Sequence, residues 1–252
     1  YDSEVEEFLK YIEFIYENGV DAVIIQDYGM IDLIRKKFPN LELHSSTQMN
    51  IHTVDELKKM KELGFKRVVL ARETSIETIK QMKKEVDIEL EVFIHGALCV
   101  SCSGQCLMSY MVGKRSGNRG ECAGICRQKY SLYENDKEIK LDDKYLLSMK
   151  DLCLIDKLNE LISLGIDSFK IEGRMKSKEY VGVVTKCYRN SIDFKVFEKE
   201  KNDMFKMFNR GYTLGNIYNK KGKEIVNGFR PNHMGYNIGE VINYNRNRVK
   251  IK

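Results

Sequence analysis

The sequence predicts an α/β fold built on a parallel sheet, and three observations point there. An amphipathic helix, a terminating glycine and a β-branched strand recur in that order, polar residues gather where each strand stops, and the 252-residue length matches the roughly 250 residues of a (β/α) barrel. Strands that alternate with helices imply parallel pairing. Polar strand ends suit a barrel, whose active site lies at the C-terminal face of its strands. A doubly wound open sheet is the alternative.

In the first unit Val5, Phe8, Leu9, Ile12 and Ile15 recur at helical spacing, Gly19 closes the helix, and residues 22–25 form a strand ending in Gln26 and Asp27. In the second, Leu57, Met60 and Leu63 precede Gly64, and a strand over 68–71 runs into Arg72 and Glu73. In the third, Ile155, Leu158, Leu161 and Ile162 precede Gly165, and a strand over 169–171 runs into Glu172, Gly173 and Arg174. Two more strands fit between these, 41–43 ending at His44 and Gln48, and 88–94 ending at His95 and Gly96. A helix is expected over 179–194 with Val183, Val184 and a buried Cys187 on one face, followed by a looser Gly- and Asn-rich run over 210–235.

Strands over 238–244 and 248–251 resemble a hairpin around Asn245, Arg246 and Asn247, too small to fold alone and expected to begin a small β domain. Five barrel-type strands are fewer than a barrel's eight. The expected organisation is therefore a partial barrel over 1–200 carrying a cysteine-rich insertion at 97–153, a connecting segment over 201–236, and the start of a β domain over 237–252.

The net charge of +5 is modest and its charges are interspersed, as on a solvated surface. The best basic patch is 113–120, where Lys114, Arg115 and Arg119 lie among glycines and could follow a nucleic-acid backbone. No apolar run approaches the ~20 residues of a membrane span and no signal peptide is visible, so a cytoplasmic location with reduced thiols is expected. Of seven cysteines, five lie between Cys99 and Cys126, a density that metal binding explains better than packing.

Thiolates on glycine-bearing loops can converge on a soft metal, and Gly104, Gly117, Gly120 and Gly124 supply the freedom. The pairs Cys99/Cys102 and Cys122/Cys126 read as a structural zinc site, towards which spacing alone leans. Cys99, Cys106, Cys122 and Cys153, or Cys126 in place of the last, read as an iron–sulfur site.

The run EVFIHGALCVSCSGQCLMS over 91–109 resembles the signature of peptidase family U32, the collagenase-like proteases. HSSTQ at 44–48, Arg72 with Glu73, GKRSGNRGECAGICR at 113–127, SMKDLC at 148–153 and KIEGRMKS at 170–177 match in order as well. The resemblance implies a TIM-like barrel, truncated at its N-terminal side here, followed by a small β domain. It also implies one of two activities, peptidase or hydroxylase of RNA bases at a tRNA wobble uridine or an rRNA cytidine. The hydroxylases use prephenate and an iron–sulfur cluster, a 4Fe-4S centre by resemblance. The implied ligands are Cys99, Cys106, Cys122 and Cys153, with Cys126 competing for the fourth place and Cys102 outside the pattern.

The candidate catalytic residues are His95, Glu91 and Glu172, and those for substrate are His44, Gln48, Arg72, Lys170 and Arg174. An arginine can grip a carboxylate bidentately, so Arg72, Lys170 and Arg174 suit a small dicarboxylate; an ion-pair network is the plainer reading of the same charges. Lys114, Arg115 and Arg119 would meet RNA, and a second family member could act as a partner. A peptidase would need an activated nucleophile or metal-bound water, yet there is no G-x-S-x-G elbow and no H-E-x-x-H helix. A redox centre with a basic rim favours RNA hydroxylation. A noncatalytic, zinc-stabilised RNA-binding module is the third reading.

Overall fold

The computed structural model describes residues 1–193 and 198–252. Helix α1 (Val5–Glu17) turns Ile12 inward and ends before Gly19, whose φ of +79° suits glycine. The pattern then repeats as β1 (Ala22–Ile25), α2 (Gly29–Lys37), β2 (Glu42–Ser45), α3 (Val54–Glu62), β3 (Arg67–Val69), α4 (Ile76–Glu85) and β4 (Glu89–Ala97). Local signals start the helices: Thr53 and Glu56 form a capping box on α3, and the Ser75 hydroxyl accepts from Thr78 N on α4. The cysteine-rich insertion holds α5 (Met108–Gly113) and a hairpin, β5 (Leu132–Glu134) with β6 (Lys137–Ile139). The chain re-enters the sheet as β7 (Asp151–Cys153), then forms α6 (Leu158–Ser163), β8 (Ser168–Ile171), α7 (Lys178–Asp193), α8 (Glu198–Lys206) and β9 (Tyr212–Thr213). The expected helix end at Phe194 lies outside the described residues.

Strands β1 to β4 are parallel neighbours, β8 pairs parallel with β4, and β7 pairs antiparallel with β4 and parallel with β9. The fold is thus mixed α/β with a largely parallel sheet running from β1 to β9. Among the described strands these two ends do not pair, so the sheet is not closed into a barrel. Strand β10 (Val241–Asn245) and β11 (Arg248–Ile251) form a separate antiparallel hairpin whose residues are all exposed. Expected strands and observed ones differ by a few residues at their ends. The sequence reading omitted β7, β9 and α8, whose short or charge-rich segments carry no periodic apolar signal.

Nine residues long, β4 serves three neighbours. On one side the Leu90 carbonyl accepts from Asp167 N and the His95 carbonyl from Glu172 N; on the other, the Glu91 carbonyl accepts from Leu70 N and the Ile94 carbonyl from Leu154 N. Residues of odd and even number exchange sides between Phe93 and His95, where the register with β8 shifts. Such an irregularity re-aims side chains. Glu91 and Phe93 face Lys170 of β8, while His95 turns to Tyr180 and Tyr188 of α7.

Gly96 completes the bend. Its φ is +110°, and a Cβ there would stand 2.4 Å from the Glu172 carbonyl oxygen. Gly96→Ala is expected to destabilise the protein by about 2–4 kcal/mol, since a strained backbone and a backbone clash add. A shifted urea midpoint checks this, and an unchanged midpoint contradicts the tight β4–β8 crossing.

Candidate active site

The insertion folds back over the C-terminal ends of the parallel strands, and the ends of β1, β2 and β3 each supply an anchor. After β1, Gln26 Nε2 donates to the Asn118 carbonyl at 3.4 Å. After β2, Gln48 Nε2 donates to Asn118 Oδ1 at 3.2 Å, and Gly104 packs so tightly on Gln48 that a Cβ would sit 2.0 Å from its carbonyl oxygen. Asn118 Nδ2 donates to the Gly104 carbonyl at 2.6 Å, which ties the two arms of the loop together. After β3, Glu73 accepts from both the amide and the hydroxyl of Ser103, and Arg72 N donates to Ser103 Oγ at 3.2 Å.

Arg127 closes the far end of the loop. Its guanidinium donates to Ser148 Oγ at 2.9 Å, to the Leu98 carbonyl at 2.9 Å and to the Met149 carbonyl, bridging the end of β4 to the segment that leads into β7. Burial, and then the Arg210 guanidinium, press its pKa down. Sequence reading missed Asn118 and Arg127, whose partners are distant in the chain; the charge directly after Cys126 was the available signal.

The cysteines separate into two places. Cys126 is half-buried, and its thiol is pushed up by burial and further by the charges of Cys99, Cys122 and Cys106, against the lowering pull of Arg127. These four thiols share one electrostatic neighbourhood. Arg72 Nη1 donates to Cys99 Sγ at 3.1 Å and Gly124 N to Cys122 Sγ at 3.4 Å. Cys102 is exposed.

Cys153 lies elsewhere, buried with its Sγ 3.7 Å from Tyr188 Oη, beside an open recess of about 400 Å³ that Phe205 and Tyr212 also line. Burial raises its thiol against the lowering pull of hydrogen bonds from the Ile155 backbone and Tyr188. Cys126 thus feels the charges of Cys99, Cys106 and Cys122 on the same loop, whereas Cys153 is buried against Tyr188. Cys187 is buried on α7, as its apolar face foretold. Among the described residues no three His, Cys, Asp or Glu side chains are grouped closely enough to hold a single metal ion.

The remaining candidates are spread over both faces of β4. Glu91 accepts from Lys170 Nζ at 2.8 Å and Ser168 Oγ at 2.7 Å, with Arg67 Nη1 at 3.7 Å. Burial works to raise its carboxyl, but the hydrogen bonds of Lys170 and Ser168 outweigh it and hold the group below its ordinary range. Glu91 and Lys170 are therefore each other's partners in a charge ladder beneath the rim. His44 sits near this ladder, 3.7 Å from Glu42, its pKa lowered by burial and by Arg67.

His95 is 1% exposed among Tyr180, Tyr188 and Tyr212. The single hydrogen of Tyr188 Oη goes to the Ile94 carbonyl at 2.9 Å, so the 3.3 Å contact with His95 Nδ1 requires the ring to donate. That leaves Nε2 buried without a partner, and burial brings the imidazole down to about 4. His95 is neutral at physiological pH, and Cys153, its partner across β4 and β7, touches the same Tyr188 hydroxyl. Glu172 Oε1 accepts from Arg174 N at 3.0 Å, and Arg174 Nη1 reaches to 4.0 Å from where a Gly120 Cβ would be. In the basic stretch Lys114 lies over the Tyr110 ring, 5.0 Å from its centroid, and Arg115 is exposed, but Arg119 is ion-paired with Glu4 and lies over Tyr1.

Asn118→Ala removes the link between the loop arms and the Gln48 anchor. A loss of about 1–2 kcal/mol is expected from the orphaned Gly104 carbonyl, with faster amide hydrogen exchange over residues 103–122. Exchange unchanged there would contradict the anchoring role.

Known proteins match this chain over most of its length. The Peptidase family U32 model matches residues 1–227. The chain is 37% identical to the 23S rRNA 5-hydroxycytidine C2501 synthase of Escherichia coli strain K12, over all of this chain and 40% of the relative. It is 43% identical to tRNA hydroxylation protein P1 of Bacillus subtilis strain 168, over 73% of this chain and 45% of the relative. It is 36% identical to the uncharacterized protease MJ0090 of Methanocaldococcus jannaschii, over 97% of this chain and 64% of the relative. The chain therefore spans 40–64% of the length of these curated relatives. With the U32 signature segments folded into one loop and the strand ends that anchor it, this chain belongs to peptidase family U32.

Proposed function

We propose that the protein is the catalytic region of an RNA C5-hydroxylase that uses prephenate and an iron–sulfur cluster held by Cys99, Cys106, Cys122 and Cys126. The observation that carries this reading is the gathering of these four thiols on one anchored loop over the strand ends, with Cys153 left in the core. A single zinc ion draws four sulfurs into one small tetrahedron, whereas each thiolate of a four-iron cluster binds a different iron and stands farther from the others. Among the described residues no three such side chains stand close enough to hold one metal ion, which favours the second donor set. Such a cluster would supply one-electron redox capacity.

The chain's own residues support the site in three ways. Arg72 donates to Cys99, and Arg127 sits beside Cys126, so two cations offset the negative charge of four thiolates. Around α5, Leu107, Tyr110, Met111 and Val112 are more than half exposed, and Lys114 lies over Tyr110. Aromatic and apolar surface interleaved with cations is the pattern that stacks unpaired bases and follows their phosphates. Lys114 and Arg115 are the phosphate contacts in this reading. The open sheet and its helices are read as part of a TIM-like barrel, and the β10–β11 hairpin as the start of a small β domain.

Two relatives named for rRNA and tRNA hydroxylation agree with this function, while a third is named a protease. A cysteine peptidase needs a histidine within hydrogen-bonding reach of its thiol. His95 contacts tyrosines, and Cys99 is bound by Arg72 instead.

The test is incubation of the reconstituted protein with prephenate and unmodified tRNA or rRNA, followed by nucleoside mass spectrometry. A pyrimidine gaining one oxygen, dependent on prephenate, is expected. Cleavage of a protein substrate with RNA untouched would overturn the reading in favour of a peptidase.

A further inference from the structure

Outside the thiol quartet, the rim carries a lysine with no acidic partner. Lys176, which follows β8, places its Nζ 3.1 Å from the Phe208 ring centroid and 5.7 Å from that of Tyr180. Arg210 Cζ lies 4.9 Å from the same Phe208 ring. The nearby buried carboxylate, Asp151, is already occupied: its two oxygens accept from Arg210 Nη1 and Arg210 N, both at 3.0 Å. Glu172 accepts from the Arg174 amide. Among the described residues Lys176 therefore makes no ion pair, although Arg127 and Arg210 are close enough to repel it.

A half-buried excess of positive charge on an aromatic floor is costly by itself and is relieved by an anion. We propose that Lys176, seated on Phe208 beside Arg210, receives a carboxylate of the small organic co-substrate at the edge of the cysteine loop. The proposal rests on the hydroxylase reading for the identity of that anion. It moves the carboxylate receptor away from Lys170, which Glu91 occupies, and from Arg72, which Cys99 occupies. The aromatic seat suits a small carboxylate with an apolar body, whereas the exposed Lys114 and Arg115 suit an RNA phosphate.

Titration follows from the surroundings. Burial first, then the Arg210 guanidinium, brings the Lys176 ammonium down to about 8, with Asp151 and Glu172 opposing and Arg127 adding to the repulsion. Tyr180 is held far above its ordinary range by burial and stays a neutral phenol, and His233 stacks on Phe208 while its Nδ1 accepts from the Asn209 amide. An anion favours the charged lysine, so affinity is full below this pKa and falls roughly tenfold per pH unit above it.

Isothermal titration of prephenate into the protein, below and above pH 8, reads the prediction directly. Wild type should bind more weakly above that pH. Lys176→Gln should weaken binding at least ~10-fold at the lower pH, and Lys176→Arg should retain binding while flattening the pH dependence. Single-stranded RNA affinity should be unchanged in both variants. Unchanged prephenate affinity in Lys176→Gln, absence of prephenate binding by wild type, or a selective loss of RNA affinity would each overturn the proposal, the last by showing a phosphate site. Failure of the hydroxylase reading is seen separately, in the RNA product formed with every residue intact.

Discussion

The site depends on how β4 meets three strands at once. A regular strand would keep Glu91, Phe93 and His95 on one face, but the register shift beside β8 sends His95 to the α7 side and leaves Glu91 and Phe93 towards Lys170. The same shift presents the Ile94 carbonyl to Leu154 and lets β7 enter antiparallel. Gly96 then allows Glu172 to approach, and the chain leaves the sheet at Leu98 directly into Cys99. A strand of uniform register could not deliver both the aromatic packing beneath the rim and the thiol loop above it.

The two faces of β4 carry opposite kinds of chemistry. Beneath the rim the Glu91–Lys170 pair is largely shielded from water, with side-chain exposures of 11% and 32%, and it gains from Ser168 and Arg67 as additional partners. Removing one member of such a pair commonly costs about 3–5 kcal/mol, because the other charge is stranded. These groups are fixed by their partners and are poorly suited to moving protons. Above the rim the loop is exposed, held by hydrogen bonds rather than by a core, and therefore able to adjust its sulfurs around a bound group. Arg127 joins the two regimes, its guanidinium buried in backbone carbonyls and its chain position next to Cys126.

Much of this was legible in the sequence. The helix–glycine–strand repeat located β1, β3 and β8, and the polar residues ending each strand marked the rim, where Gln48, Arg72 and Glu73 indeed meet the loop. A side chain aimed at a rim reads alike in sequence whether it grips a substrate or a loop, so these loop contacts were not foreseen. The shift in β4 was hidden in EVFIHGAL, an apolar run without a break in pattern. Strand β7, three residues long, was hidden for want of any periodicity. Spacing left Cys126 and Cys153 equally open as a fourth ligand, since both follow Cys122 at workable distances, and the burial of Cys153 against Tyr188 was not legible there. Lys176 was passed over because its neighbours, Phe208 and Arg210, lie more than thirty residues along the chain.

The central claim is the identity of the thiol quartet. It is tested most directly by the anaerobic visible spectrum of the purified protein, with iron, sulfide and zinc counted on the same sample, for wild type and for alanine variants at Cys99, Cys106, Cys122, Cys126 and Cys153. The account predicts a broad brown absorbance with matching iron and sulfide, lost in the first four variants and kept in Cys153→Ala. Zinc in place of iron, or absorbance that survives without Cys126 and vanishes without Cys153, would contradict it.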